Sequence, residues 1–201
     1  MIDSHINWSY HVDIIAPKLS RAIGMLSKIR HYVSEPTLRS IYYGIFSSIL
    51  TYGSQVWGQI QNKNINRLIK LQDKAVRTIN FAHYQQSRNP LYEKSKILKF
   101  TDNIKTLNFL FVILKGNVPT ALNCLNLVQN VHTYNTRASH QQHISLPNVK
   151  TQIYGIKSIK FQSAQIWNTL AKKYSKIEFV TKTKAFCKRF LTKYFLESYE
   201  T

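Results

Sequence analysis

The sequence predicts a mainly α protein, a helical bundle followed by a smaller C-terminal helical segment. Apolar residues recur three and four positions apart through most of the chain, which is the spacing of one face of an α-helix. Extended structure is expected at most in short pieces near residues 144–154. Apolar residues make up 44% of the 201 positions, so the chain can bury a core.

The first two helices are predicted on either side of Pro36. Residues 13–33 carry an apolar stripe, and Glu35-Pro36 ends it. Proline suits the first turn of the next helix, because its missing N–H is not needed there. The apolar face of that second helix is predicted to comprise Leu38, Ile41, Tyr42, Ile45, Ile49 and Tyr52. Tyr52-Gly53 is then expected to break or bend the helix, since glycine weakens a helix interior and admits a turn.

Further helices are expected over residues 64–80, about 90–98 and about 102–115, and the segment 116–119 ends this block. The inward face of the helix over 64–80 is predicted to comprise Ile65, Leu68, Ile69, Gln72, Ala75, Val76 and Ile79. Residues 129–152 are polar and predict a long loop, before two closing helices over 156–171 and 181–198. The expected division is therefore a helical region over 1–116, a linker over 117–152 and a C-terminal segment over 153–201.

Charge sets this chain apart from an ordinary domain. Twenty-eight Lys and Arg against nine acids give a net charge of +19. Acids are absent between Glu35 and Asp73 and again between Asp102 and Glu178. Such spans leave the positive field uncancelled, which favours an extended polyanion such as nucleic acid as the partner.

The longest uncharged run, residues 40–62, does not predict a membrane span. Its serines, glutamines and glycines leave only residues 41–50 apolar enough for hydrocarbon, about half of the length that a span needs. The chain opens without a signal-peptide pattern, and its two cysteines, Cys124 and Cys187, form no disulfide framework. We therefore expect an intracellular protein, nuclear or cytoplasmic, with no membrane partner.

The sequence shows no catalytic constellation. Metal-dependent nucleotidyl transfer needs convergent carboxylates, and no two acids are adjacent in this chain. The phosphate-binding glycine loop, the nucleophile elbow and the zinc-protease motif are also missing. His140 and His143 have a spacing that could ligate zinc, with His132 and Cys124 upstream, but in a polar loop solvated histidines are the commoner case. We therefore assign no catalytic residue and no metal ligand.

A basic stripe is the strongest candidate site. Arg67, Lys70, Lys74 and Arg77 are three, four and three positions apart and fall within about 80° of helical arc, opposite the apolar face. Like charges on one stripe repel each other unless a polyanion is near, although a basic face can also be merely solvated. Weaker members of the same surface are Lys28, Arg30 and Arg39.

Several short motifs occur in a fixed order along the chain. They are INWSYHV at 6–12, LSKIR at 26–30, Leu38 with Tyr42, LTYGSQVWG at 50–58, LQDKAVR at 71–77, YNTR at 134–137, SAQIWNTL at 163–170 and TKAFCKRFLTKYF at 183–195. This order resembles the region downstream of the polymerase core in non-LTR (LINE-type, jockey-like) retrotransposon reverse transcriptases. The palm with its paired aspartates and a terminal Cys-rich knuckle are both missing, and residues 168–171 lack the proline usual in the family.

The resemblance implies the thumb and post-thumb part of an RNA-directed DNA polymerase. Such a thumb holds template and primer by their backbones, so RNA, DNA or an RNA–DNA hybrid would be the partner, with Arg137 of the YNTR motif added to the binding residues. The Mg²⁺ of the family would belong to the missing palm, so no cofactor is expected in this chain. Structural roles are implied for Trp8, Tyr52, Gly53, Trp57, Gly58 and Trp167, with Trp57 filling the turn that closes a helix pair.

A different class of function remains open at this point. A stand-alone helical adaptor could bind protein partners through apolar faces, its positive charge being incidental. The two hypotheses differ in what the basic stripe does, because only the first requires it to contact phosphates.

Overall fold

A computed structural model describes residues 8–58, 63–113, 128–131, 134, 143–151, 155–156, 158–173 and 184–199. The described chain is mainly helical, which confirms the predicted class. Its elements are α1 (Ser9–Ile29), α2 (Glu35–Ile41), a π-helical turn (Tyr42–Ser47), α3 (Ser48–Thr51), α4 (Ser54–Trp57), α5 (Lys63–Ile79), α6 (Arg88–Lys94), α7 (Phe100–Ile113), α8 (Val128–Val131), α9 (Ile159–Lys173) and α10 (Lys184–Glu197).

The chain forms two compact units. The first comprises Met1–Asn103 together with Lys193–Thr201, and the second comprises Ile104–Thr192. The boundaries expected from the sequence, at 116 and 152, fall outside the described residues and stay predictions.

In the first unit, α1 lies along α5 and runs in the same direction. Near their beginnings Arg67 Nη1 lies 3.1 Å from Asp13 Oδ1, and just beyond their ends the rings of His31 and Phe81 are 5.3 Å apart. The buried residues of α1 are Val12, Ile15, Ala16, Leu19, Ala22, Ile23 and Leu26. Most of the predicted stripe is therefore buried, but Ile14, which was also predicted on it, is exposed. The helix begins four residues earlier than predicted and ends four residues earlier, in a turn over 30–32.

The face predicted for the second helix is partly wrong. The buried residues through α2, the π-helical turn and α3 are Leu38, Tyr42, Phe46 and Leu50, each four positions after the last. Ile45 and Tyr52, predicted to face inward, are exposed. In an α-helix each step of four residues turns the side chain by about 40°, so three such steps would leave the face. A π-helical turn is wider and reduces that drift.

The turn at Gly53 positions Trp57. Gly53 has φ 63°, a left-handed conformation that glycine adopts without steric cost, and it precedes α4. The Trp57 side chain is 2% exposed, and its Nε1 donates a 3.0 Å hydrogen bond to the carbonyl of Tyr52. The ring stacks on Phe100 at 5.6 Å between centroids. An uncharged segment thus provides a buried indole whose polar atom is satisfied.

A buried glutamine joins α5 to the segment between α6 and α7. Gln72 Nε2 donates to the Leu98 carbonyl at 2.9 Å and to Tyr42 Oη at 3.1 Å, and Gln72 Oε1 accepts from the Phe100 N–H at 2.8 Å. Burial raises the pKa of Tyr42, which keeps this hydroxyl protonated. Gln72 was predicted to face inward, and its partners explain why a polar side chain is tolerated there.

The last residues of the chain belong to the first unit. Tyr199 Oη donates to Asp102 Oδ2 at 2.7 Å and accepts from the Lys99 N–H at 3.1 Å. The Lys99 ammonium lies 4.0 Å from the centroid of the same ring. Burial and the Asp102 carboxylate both raise the pKa of Tyr199, so the hydroxyl stays a donor.

In the second unit, α9 holds the segment 143–151. Asn168 binds both backbone groups of Ile144, since its Oδ1 accepts from the Ile144 N–H at 2.8 Å and its Nδ2 donates to the Ile144 carbonyl at 2.9 Å. Ile144 forms an isolated β-bridge, in the region where extended pieces were expected. Trp167 is buried beside Phe109, 6.2 Å away between centroids. Residues 153 and 154, also predicted to be extended, lie outside the described residues.

Candidate nucleic-acid interface

Helix α5 separates its apolar and basic residues cleanly. Ile65, Leu68, Gln72, Ala75, Val76 and Ile79 are buried, whereas Arg67, Lys70 and Lys74 are exposed and Arg77 is half-buried. Ile69, predicted to face inward, is half-buried. The stripe therefore lies on the outer face of a helix whose inner face packs against the core.

The four basic residues differ in their partners. Arg67 pairs with Asp13, but both side chains are more than half exposed, and such pairs contribute about 0–1 kcal/mol. Arg77 Nη2 donates to the Gln86 carbonyl at 3.3 Å. Within the described residues, the ammonium groups of Lys70 and Lys74 make no hydrogen bond or ion pair. These two lysines are the members best placed to meet an external anion.

The acid of α5 lies on the buried side. Asp73 is 6% exposed, and its two carboxylate oxygens accept from Arg88 Nη1 at 2.9 Å and from Tyr92 Oη at 2.9 Å. The hydrogen bond to Asp73 raises the pKa of Arg88, and burial together with the Asp73 charge raises that of Tyr92. Both groups thus stay donors, and the charge of the buried carboxylate is balanced by Arg88, whose side chain is more than half exposed. Asp73 is therefore paired away from the outer stripe.

The weaker members of the predicted surface lie on other elements of the first unit. Lys28 is exposed in the last turn of α1. The Arg30 guanidinium lies 4.8 Å above the Phe81 ring, and Arg39 Nη1 donates to the Ser95 carbonyl at 3.4 Å. Arg30 thus lies against Phe81, just beyond the end of α5, whereas Arg39 lies against Ser95, just beyond the end of α6. Arg137 lies outside the described residues.

Most of the residues predicted to have structural roles are buried or half-buried, and Tyr52 is exposed. Trp57 and Gly58 are buried at the end of α4, and Trp167 is buried in α9. Trp8 is half-buried with φ 55°, immediately before α1. Tyr52 differs, since its ring is 81% exposed and only its carbonyl takes part, as the acceptor for Trp57.

Sequence reasoning missed the role of His11. Its ring lies 5.8 Å from Trp8 and 5.1 Å from Trp57 between centroids, and burial lowers its pKa. The histidine of the INWSYHV motif was visible, but its contact with Trp57, 46 positions away, had no signal in the sequence.

The described part of the chain holds no group of three His, Cys, Asp or Glu side chains arranged to bind a metal. His143 is half-buried, and burial lowers its pKa. His132, His140 and Cys124 lie outside the described residues. Across the described helices, none has both the length and the apolar content to cross a membrane.

No family model, curated protein or solved structure matches this chain.

Proposed function

We propose that this chain is the thumb and post-thumb part of a non-LTR retrotransposon reverse transcriptase, and that α5 holds nucleic acid by its backbone. The order of motifs supports the family. The observation that most supports the binding role is the arrangement of α5, with Lys70 and Lys74 exposed and Asp73 turned into the protein.

The chemistry of such an interface is simple. Lysine ammonium groups contact phosphates as point charges and release condensed counterions, so affinity falls steeply with salt and depends little on base sequence. The partner would be RNA, DNA or an RNA–DNA hybrid. In the proposed enzyme the carboxylates and their Mg²⁺ would come from the palm.

The first prediction concerns the double variant Lys70→Gln/Lys74→Gln. Each lost phosphate contact should flatten the plot of log affinity against log salt by roughly 0.9, so the pair should flatten it by about two units. A labelled RNA–DNA hybrid titrated at several salt concentrations measures this slope. Folding should change by less than about 0.5 kcal/mol, because both side chains are exposed.

The matched control is Lys188→Gln/Arg189→Gln, which removes two exposed positive charges from the second unit. If the slope changes equally in both double variants, α5 is not a specific interface and the adaptor hypothesis gains. The family is tested separately by reading the genomic DNA upstream of Met1. A frame that encodes the aromatic-x-Asp-Asp motif, intact or interrupted, is expected; its absence would overturn the family and leave the binding result standing.

A further inference from the structure

Three aromatic rings are exposed in the connections that follow α1 and α5, residues 30–34 and 80–87, referred to below as the two turns. Tyr32 is 87% exposed, Phe81 56% and Tyr84 72%. The turns meet where the His31 ring approaches Phe81 edge-on at 5.3 Å and the Arg30 guanidinium covers Phe81 at 4.8 Å. Tyr32 adjoins His31, and Tyr84 lies three positions after Phe81 in the same connection between α5 and α6, 4.7 Å from the His83 ring.

Phe81 has a backbone conformation that disfavours its side chain. Its φ is 53°, and the Ala82 N–H donates to the Arg77 carbonyl at 3.0 Å, so Phe81 occupies the left-handed position that ends α5. Glycine is the usual residue there, because a bulky side chain is strained. Phe81 thus has a strained backbone conformation, and more than half of its surface is nevertheless exposed.

The surroundings of these rings are basic. No acid occurs between Asp13 and Glu35 or between Asp73 and Glu93, the two stretches that contain both turns. Lys28 and Arg30 end α1, Arg77 ends α5, and the Arg77 guanidinium holds the second turn through the Gln86 carbonyl. Cations at helix ends also favour the helix dipole, but the dipole does not account for the exposed rings.

We propose that these two turns form a stacking platform for the unpaired bases of single-stranded nucleic acid. Aromatic faces stack on bases of any sequence, and neighbouring arginines add contacts to bases and phosphates. A duplex already stacks its bases on each other, so the platform should prefer a single strand. The proposal rests on the proposed function and adds a site for single-stranded nucleic acid, located beyond the end of the α5 stripe.

The test is the variant Phe81→Gly in the full chain, with a labelled oligothymidylate and its duplex as probes. Glycine removes the ring and relieves the left-handed strain, so the urea midpoint should stay at or above that of the wild type. Affinity for the single strand should fall about fivefold or more, since one stacking ring contributes about 1–3 kcal/mol. Affinity for the duplex should change by less than about twofold.

Tyr84→Ala provides a second measurement, with the same loss expected for the single strand. The matched control is Tyr52→Ala, which removes an equally exposed ring from a different turn and should leave both affinities unchanged. Lys96→Gly controls for strain, because Lys96 has φ 51° in the turn after α6 and carries no ring. Its loss of one charge should weaken single strand and duplex alike.

Unchanged single-strand affinity in Phe81→Gly and Tyr84→Ala would overturn the platform. If Lys70→Gln/Lys74→Gln still flattens the salt dependence, the proposed function survives that result. An equal loss for duplex and single strand in Phe81→Gly would also overturn the platform, because stacking would not be its cause. A wild-type chain that binds neither probe would overturn both proposals.

Discussion

At the scale of single residues, His11 makes the stability of the fold depend on pH. Its Nε2 is buried without a hydrogen-bond partner within the described residues, between two tryptophan rings. Burial, with a contribution from Lys18, lowers its pKa below the ordinary value of 6.5. The folded chain therefore binds a proton at His11 less readily than the unfolded chain does, and the proton favours unfolding.

The resulting prediction is a loss of stability on acidification. Above about pH 6.5 the imidazole is neutral in both states and costs nothing; below that value the unfolded state gains the proton first. As the pH is lowered from about 7.5 to about 5.5, the urea concentration at the unfolding midpoint of the wild type should decrease, and the decrease should be smaller in His11→Phe. The same change at exposed His83 is the control. Equal pH dependence in wild type and His11→Phe would contradict this account.

Only some of the basic residues of the candidate site could be described correctly from the sequence. The outward direction of Lys70 and Lys74 follows from helical spacing, which the sequence displays directly. The partners of Arg67, Arg39 and Arg77 depend on contacts across the fold, with Asp13, Ser95 and Gln86. No local pattern encodes such contacts, so the basic residues that have internal partners could not be separated from those that do not.

At the scale of elements, the glycines of the first unit differ in what they permit. Gly24 lies within α1, and a methyl group placed on it would meet no atom within 4 Å. Gly24→Ala should therefore stabilise the fold by about 0.5–1 kcal/mol, because alanine loses less backbone entropy in a helix. Urea unfolding followed by circular dichroism measures the change.

Gly53→Ala is the matched control, since the same methyl group is added at φ 63°. The left-handed conformation costs an alanine roughly 1–2 kcal/mol, so this variant should be destabilised. A destabilised Gly24→Ala, or a neutral Gly53→Ala, would contradict the assigned backbone conformations.

Element type was predictable, whereas the inward face was predictable only for regular helices. The apolar spacing of α1 and α5 predicts most of their buried residues, with Ile14 and Ile69 as exceptions, because both helices turn by the ordinary 100° per residue. The π-helical turn at Tyr42–Ser47 breaks that rule, so Phe46 is buried in place of Ile45. Apolar spacing analysed at a constant 100° per residue cannot locate a π-helical turn.

At the scale of the whole chain, the first unit is completed by residues from its far end. Tyr199→Phe removes the hydroxyl that binds Asp102 and the Lys99 N–H. A hydrogen bond to a charged group contributes about 1.5–3 kcal/mol, so the first unit should lose stability of that order. In a Trp167→Phe background the remaining tryptophans, Trp8 and Trp57, both belong to this unit, and their fluorescence in urea reports its unfolding.

The comparison for this prediction is Tyr10→Phe, a tyrosine of the same unit that is exposed in α1. An unchanged midpoint in Tyr199→Phe, relative to that control, would mean that the terminal residues do not hold the unit together. The sequence offered no hint of this closure, since the paired residues are 97 positions apart and neither belongs to a recognisable motif.

The closure between Asp102 and Tyr199 also sets an order of events while the protein is being made. A ribosome adds about 5–20 residues per second, so the 97 residues from Asp102 to Tyr199 take roughly 5–20 seconds to synthesise. During that interval α1 and α5 can already pack together, but the hydrogen bonds of Tyr199 to Asp102 and to the Lys99 N–H have not yet formed. The first unit is therefore open to chaperones and proteases in an incomplete form until Tyr199, in the turn after α10, has been synthesised.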